Sequence, residues 1–189
     1  MPPKVRVTRE DILRTAFEIL RHEGASALNA RSIATALDCS TQPIFSNFAS
    51  MEELLEAVLA VAYEYYLDFL QREAASGKSP LYKAFGRAYI RFANEEKKLF
   101  MYLFMRDRQG EALSPTKDFE VSVDYIVKNS GISKERAELM HMEMWACVHG
   151  IATMLTTSFL LLDDELIDTM LSDTYQGLLA RHAKEDARS

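Results

Sequence analysis

Apolar residues recur at intervals of three and four along most of this chain, and no stretch shows β-branched alternation. The pattern predicts helices throughout. Thr8 caps a first helix, with Asp11 three residues on as the acidic partner of a capping box. Its inner face is Ile12, Leu13, Ala16, Phe17, Ile19 and Leu20, and Gly24 ends it. Asn29 caps a second helix with Ile33, Ala34 and Leu37 inward. A third, very short helix lies in CSTQPIFSNF (39–48), capped by Ser40 or Thr41. Pro43 falls in its first turn, where a missing N–H breaks no hydrogen bond. Ser50, with Glu53 three residues on, caps a long fourth helix running to about Ser76. Further helices are expected over about 79–93, 95–107, 116–129, 133–161 and 163–183, punctuated by GKSP, RQGEALSP and NSGIS.

Three short helices near the start, the last two joined by a tight turn, make a helix-turn-helix pattern. Ala34 is small where the two helices cross closely. Asp38 must leave the right-handed helical region at the turn, which glycine does best and Asp tolerates at some cost. Ile44 and Phe48 anchor the third helix. Ser40, Thr41, Gln42, Phe45, Ser46 and Asn47 are left on its outer side, a face with no charge of its own. Amides and hydroxyls presented this way suit base edges in a major groove. Gln and Asn pair with adenine, and Ser and Thr meet bases or phosphates.

Composition adds long elements and a substantial core: 48% of the 189 residues are apolar, with only seven Gly and five Pro. The net charge of −6 argues against nucleic acid until its distribution is read. Residues 1–50 hold six basic and five acidic groups, against sixteen and twenty-three in the remainder. A near-neutral head on an acidic body points to two jobs in one chain. The longest apolar run, 150–162, is too short to span a bilayer, and the N-terminus lacks the apolar run of a secretion signal. Cys39 and Cys147, far apart and without ligand spacing, read as reduced thiols of a cytoplasmic protein. No phosphate loop, nucleophile elbow or metal-ligand spacing appears, so no enzyme, metal or cofactor is expected.

The segment TREDILRTAFEILRHEGASALNARSIATALDCSTQPIFSNFASMEELLEAV resembles the N-terminal DNA-binding domain of the tetracycline-repressor (TetR) family. The likeness rests on the first amphipathic helix, the Gly24 stop, the Ile33-Ala34 pair, Phe45 with Phe48, and Glu52-Glu53-Leu54-Leu55. It implies an all-α chain with a DNA-binding domain over 1–50 and a ligand-sensing and dimerisation domain over 51–189. It implies a ligand-responsive repressor, a homodimer on a palindromic operator in double-stranded DNA. The implied DNA-binding residues are Arg31, Ser40, Thr41, Gln42, Pro43, Phe45, Ser46 and Asn47, with Arg31, Thr41, Ser46 and Asn47 toward phosphates. Lys4, Arg6 and Arg9 are read either as an arm along the backbone or minor groove or as an ordinary solvated end. Asp38 stands where the family usually has Gly, Phe45 where it has Tyr, and Met51 where it has Lys. Losing a hydroxyl and a cation lowers affinity and flattens the salt dependence by roughly one unit of slope.

In the body, Val148, Ala152, Leu155 and Phe159 make one stripe, and Ile167, Met170, Leu171, Thr174, Leu178 and Leu179 another. Two such helices from each of two subunits make a four-helix-bundle dimer interface, and the resemblance favours that over intrachain core. The expected interface is Val148, Ala152, Leu155, Ile167, Met170, Leu171, Thr174 and Leu178. Trp145-Ala-Cys-Val-His149-Gly150 resembles a signature of one TetR group; Gly150 permits a close helix, and His149 is read as a core histidine or a polar contact. Nine Met and ten Phe fit an adaptable cavity for a small apolar or aromatic effector. Its candidate lining is Tyr89, Phe92, Phe100, Tyr102, Phe104, Met105, Tyr125, Met144, Trp145 and Phe159, with His141 and Glu143 for polar orientation. In the expected mechanism the effector shifts the 95–107 helix and, through it, the fourth. The alternative is a helical dimeric small-molecule-binding protein with weak or no DNA binding.

Overall fold

In the computed structural model the described residues are 7–75, 80–107 and 117–188. Lys4, Arg6 and the RQGEALSP segment lie outside them. All regular elements among the described residues are helices: α1 (Arg9–Glu23), a 3-10 turn (Ala25–Ala27), α2 (Ala30–Ala36), α3 (Gln42–Asn47), α4 (Met51–Ala74), α5 (Leu81–Glu95), α6 (Lys97–Phe104), α7 (Lys117–Ser130), α8 (Lys134–Thr156) and α9 (Asp164–Asp186). None is long and apolar enough to cross a membrane.

Local chemistry explains the boundaries. The Thr8 capping box forms, with Oγ1 accepting from the Asp11 N–H and the Asp11 carboxylate accepting from the Thr8 N–H. α8 stops at Thr156, short of the expected 161. Ser158 enters the left-handed region at φ 55°, and the Phe159 N–H reaches back to Met154 O. The Thr156 and Thr157 hydroxyls donate to carbonyls one turn back, which weakens the last turn.

The chain divides into two units. The first unit runs through Asp68 and takes in Glu96–Arg106; the second is Phe69–Glu95 with Asp107 onward. α4 therefore belongs to both, and α6 returns to the first. Three short helices bury little surface by themselves. α6 supplies Leu99, Phe100 and Leu103 to the core built by Ile12, Phe17, Leu20, Ile44 and Phe48. Arg21 Nε donates to Glu96 at 2.9 Å, and the Tyr65 hydroxyl donates to the same carboxylate at 2.8 Å. Burial alone would raise the Glu96 carboxyl; the Arg21 and Tyr65 hydrogen bonds outweigh it and hold the group below its usual range.

In the second unit α5, α7, α8 and α9 pack around Ile90, Phe92, Met140, Val148, Ile151 and Ala152. A Cβ on Gly86 of α5 would stand 3.5 Å from Val148 Cγ2 and 4.0 Å from Leu171 Cδ1, so α5 meets α8 and α9 closely there. Gly150, expected to admit a close helix, has no atom of another element among the described residues within 4 Å of its added Cβ.

Candidate nucleic-acid interface

α2 starts on Asn29, whose side-chain oxygen accepts from the Arg31 and Ser32 N–H groups. It ends at Ala36, and in the turn beyond it Asp38 takes φ 50°, the left-handed conformation the turn demands. The Cys39 N–H then bonds to Ala34 O at 3.0 Å, closing the helix end and turning the chain. Ala34 itself is buried.

Thr41 is the residue before α3, but neither its hydroxyl nor that of Ser40 caps the helix. Instead Thr41 O accepts from Ile44 and Phe45 N–H. Pro43 sits in the first turn. Ile44 and Phe48 are fully buried and set the depth of the helix. Outward, Ser40, Gln42, Phe45 and Ser46 are exposed, with Thr41, Pro43 and Asn47 half-buried. Seven of the eight expected DNA-binding residues thus form one continuous segment, and Arg31 is exposed on the first turn of α2.

Two expected readers are partly committed within the helix. The Ser46 hydroxyl donates to Gln42 O at 2.9 Å, and the Asn47 amide donates to Pro43 O at 2.7 Å. Their oxygens remain as acceptors. Gln42 and Phe45, three residues apart on the exposed face, remain the prominent groups.

Sequence reasoning placed Arg9 in an arm or a solvated end. It is the first residue of α1, and its Nη1 donates to Asn47 O at 2.7 Å and to Glu53 Oε1 at 3.0 Å. Its guanidinium carbon lies 3.9 Å above the Phe48 ring centre. The Glu53 carboxyl is held below its ordinary range by the Ala49 N–H first and Arg9 second. No local signal marks a contact between residues 38 apart.

The ten expected effector-lining residues divide between the units. Phe100, Tyr102, Phe104 and Met105 belong to the first, the other six to the second. Phe100 is fully buried core, and the Tyr102 hydroxyl donates to Leu55 O. Tyr89 and Trp145 do come together at His149. The Tyr89 hydroxyl lies 2.8 Å from His149 Nδ1, and the Trp145 ring stacks on the imidazole at 4.9 Å. His149 is therefore satisfied by a tyrosine. Phe92 packs edge-on to Phe69, Tyr125 stacks on Tyr82, and Met144 is buried. Phe159 is 76% exposed, because the Ser158 turn ends α8 before it. His141 is engaged by Tyr82, and Glu143 by Arg181 and His182. A shallow groove of about 510 Å³ opens between α5 and α9, but Lys83, Arg87, Asp164 and Asp168 line it, and none of the ten aromatic and Met candidates does.

The expected interface stripe divides by burial. Val148, Ala152, Leu155, Ile167 and Leu171 are buried within the chain, facing α5 and its neighbours, while Met170, Thr174 and Leu178 are half-buried. The outer face of the two helices is Leu139, Met142, Ala146 and Gly150 on α8, with Leu166, Met170, Thr174 and Gly177 on α9.

A left-handed turn between two short helices, the second started by proline and bearing an uncharged hydrogen-bonding face, defines a helix-turn-helix DNA-binding protein. Residues 12–58 match the family described as bacterial regulatory proteins, tetR family. It is 22% identical over 179 residues to an uncharacterized HTH-type transcriptional regulator of Mycobacterium tuberculosis, spanning 93% of this chain and 81% of the relative. The chain is a DNA-binding transcriptional regulator.

Proposed function

We propose that the chain acts as a homodimeric, ligand-responsive repressor on a twofold-symmetric operator, in the cytoplasm. The observation that carries the reading is the outward face of α3, exposed and free of charge, with its anchors Ile44 and Phe48 fully buried. Such a helix has little to do for stability, while its amide, hydroxyls and phenyl match groove chemistry. Arg31, Ser40, Thr41, Gln42, Pro43, Phe45, Ser46 and Asn47 remain the proposed contacts. Charge supports the division of labour, since the acidic excess lies beyond residue 50.

The dimer is proposed through the outer face of α8 and α9, where apolar and small residues recur at three and four and no other element among the described residues covers Gly150 or Gly177. Met170, Thr174 and Leu178 stay in the proposed interface, and the buried members of the earlier stripe leave it. The proposed effector is a small apolar or aromatic molecule. Trp145, 45% exposed and stacked on His149, supports it as an aromatic surface for such a molecule. To carry a population from 1:99 to 99:1 the effector must prefer the released state by about 5.5 kcal/mol.

Selection of bound duplexes from a random pool tests the reading. A twofold-symmetric consensus bound by two chains, with affinity falling steeply as salt rises, is the expected result. A protein that selects nothing at low salt would instead be the dimeric small-molecule binder.

A further inference from the structure

We infer that Arg9 is a positioning residue for the recognition helix: it fixes the C-terminal end of α3 against the start of α4 and makes no phosphate contact of its own. The inference rests on the reading of α3 as the helix that enters the groove. α3 has six residues, too few to hold a helical conformation without outside support. Burial of Ile44 and Phe48 sets how deep it sits, with one anchor inside the helix and the other just past its C-terminal end, where a further contact can fix its orientation.

Arg9 meets that end at three points along one seam. It donates to Asn47 O, the last carbonyl of α3; it covers the Phe48 ring from 3.9 Å; and it pairs with Glu53 in the first turn of α4. Glu53 in turn accepts from the Ala49 N–H at 2.7 Å, so Asn47, Phe48, Ala49 and Glu53 are tied together around one guanidinium. A cation at a helix C-terminus also complements its dipole. Only a planar fork can lie on an aromatic face while donating sideways, so lysine is a poor substitute. The positive charge is already matched by Glu53, which leaves Arg9 ill-suited to neutralising DNA.

The full-length wild type, Arg9→Lys and Arg9→Ala are compared on a duplex selected by the wild type and on a scrambled duplex, each over a salt series. A positioning role predicts that Arg9→Ala loses about tenfold in affinity for the selected duplex. Its affinity for the scrambled duplex and its salt slope stay as in the wild type. Arg9→Lys loses most of the same factor. Mere destabilisation would lower binding to both duplexes in step with the folded fraction, and so would overturn the inference. A slope smaller by about 0.9, with parallel losses on both duplexes and full rescue by lysine, would identify a phosphate contact and overturn it also. Unchanged affinity of both variants would do the same while leaving DNA binding intact. Should Arg9→Ala not fold, Arg9→Lys decides alone, because it keeps the charge and loses the geometry. A wild type that binds no duplex removes the DNA reading itself, and this inference with it.

Discussion

The Tyr82 hydroxyl lies 2.8 Å from His141 Nδ1, and one heptad along the same helix Tyr89 stands at 2.8 Å from His149 Nδ1. α5 and α8 are thus joined by two polar rungs within an otherwise apolar contact. Tyr82 also stacks on Tyr125 and leans on Tyr175, and Phe119 meets His141 edge-on. Burial pushes the Tyr82 hydroxyl well up, so it remains a neutral partner at any working pH.

This pair predicts acid sensitivity. Burial holds His141 below its ordinary value in the folded chain. The unfolded chain therefore takes up the proton first as pH falls through about 6.5. The contribution of neutral His141 is present above that pH and is lost as pH drops toward the lower folded value. Thermal melts at pH 7.5 and 5.5 should show lower stability at 5.5, and His141→Gln should reduce the difference. Tyr82→Phe should cost about 1 kcal/mol at neutral pH by stranding the imidazole nitrogen. An identical pH difference in wild type and His141→Gln would assign the effect elsewhere.

The departures from the family at Phe45 and Met51 give opposite kinds of gain. Phe45 is 49% exposed, so Phe45→Tyr adds a hydroxyl without disturbing the core. It should raise DNA affinity with little change in salt slope. Met51 opens α4, and Met51→Lys should steepen the slope by about 0.9 through one added phosphate contact. The same lysine faces the positive end of a helix, so melting should fall slightly, by about 0.3–1 kcal/mol. Binding isotherms over a salt series separate the two substitutions; an unchanged slope in Met51→Lys would place that side chain away from the phosphates.

Asp38 sits at φ 50° with the Cys39 N–H closing the turn. Asp38→Gly should relieve that conformation and stabilise the domain, while Asp38→Ala should lose about 1 kcal/mol, because alanine has no side chain to compensate for the left-handed backbone. Chemical denaturation of the three proteins orders them Gly, Asp, Ala. Any other order would mean that the Asp38 carboxylate contributes something the turn geometry does not.

Local signals made much of this legible in advance. Thr8, Asn29, Gly24 and Pro43 act within one turn of themselves, so α1 to α4 and the Asp38 turn followed from the chain directly. The outward set from Ser40 to Asn47 followed from the short apolar spacing of Ile44 and Phe48. What was hidden depends on partners far along the chain. Arg9 finds Asn47, and α6 joins the first unit, through contacts that leave no periodic trace. The outward face of α8 is not legible from periodicity, because the helix is apolar on both sides. Val148-Ala152-Leu155 and Leu139-Met142-Ala146 are equally regular stripes, and only packing against Gly86 decides which is inside. Phe, Tyr and Met fill cores by the same chemistry with which they hold ligands, so the aromatic residues alone do not separate core from cavity lining.

The corrected face of α8 and α9 yields the last prediction. Among the described residues, no atom beyond the helix's own backbone and the adjoining residues lies within 4 Å of a Cβ placed on Gly150 or Gly177, so a side chain at either starts into open space in the monomer. Within a helix, arginine is favoured over glycine by up to about 1 kcal/mol. Gly150→Arg and Gly177→Arg should therefore melt no lower than the wild type under conditions where the chain is monomeric. At a twofold interface the same change brings bulk and like charge together, which opposes association. Analytical ultracentrifugation should show a shift toward monomer for both variants. Affinity for a full symmetric duplex should fall toward that for a half-site, since the link between the two recognition helices is lost. Val148→Arg is the control from the discarded stripe: at 8% exposure it should damage folding rather than association. If Gly150→Arg and Gly177→Arg stay dimeric and keep full operator affinity, the subunits meet elsewhere.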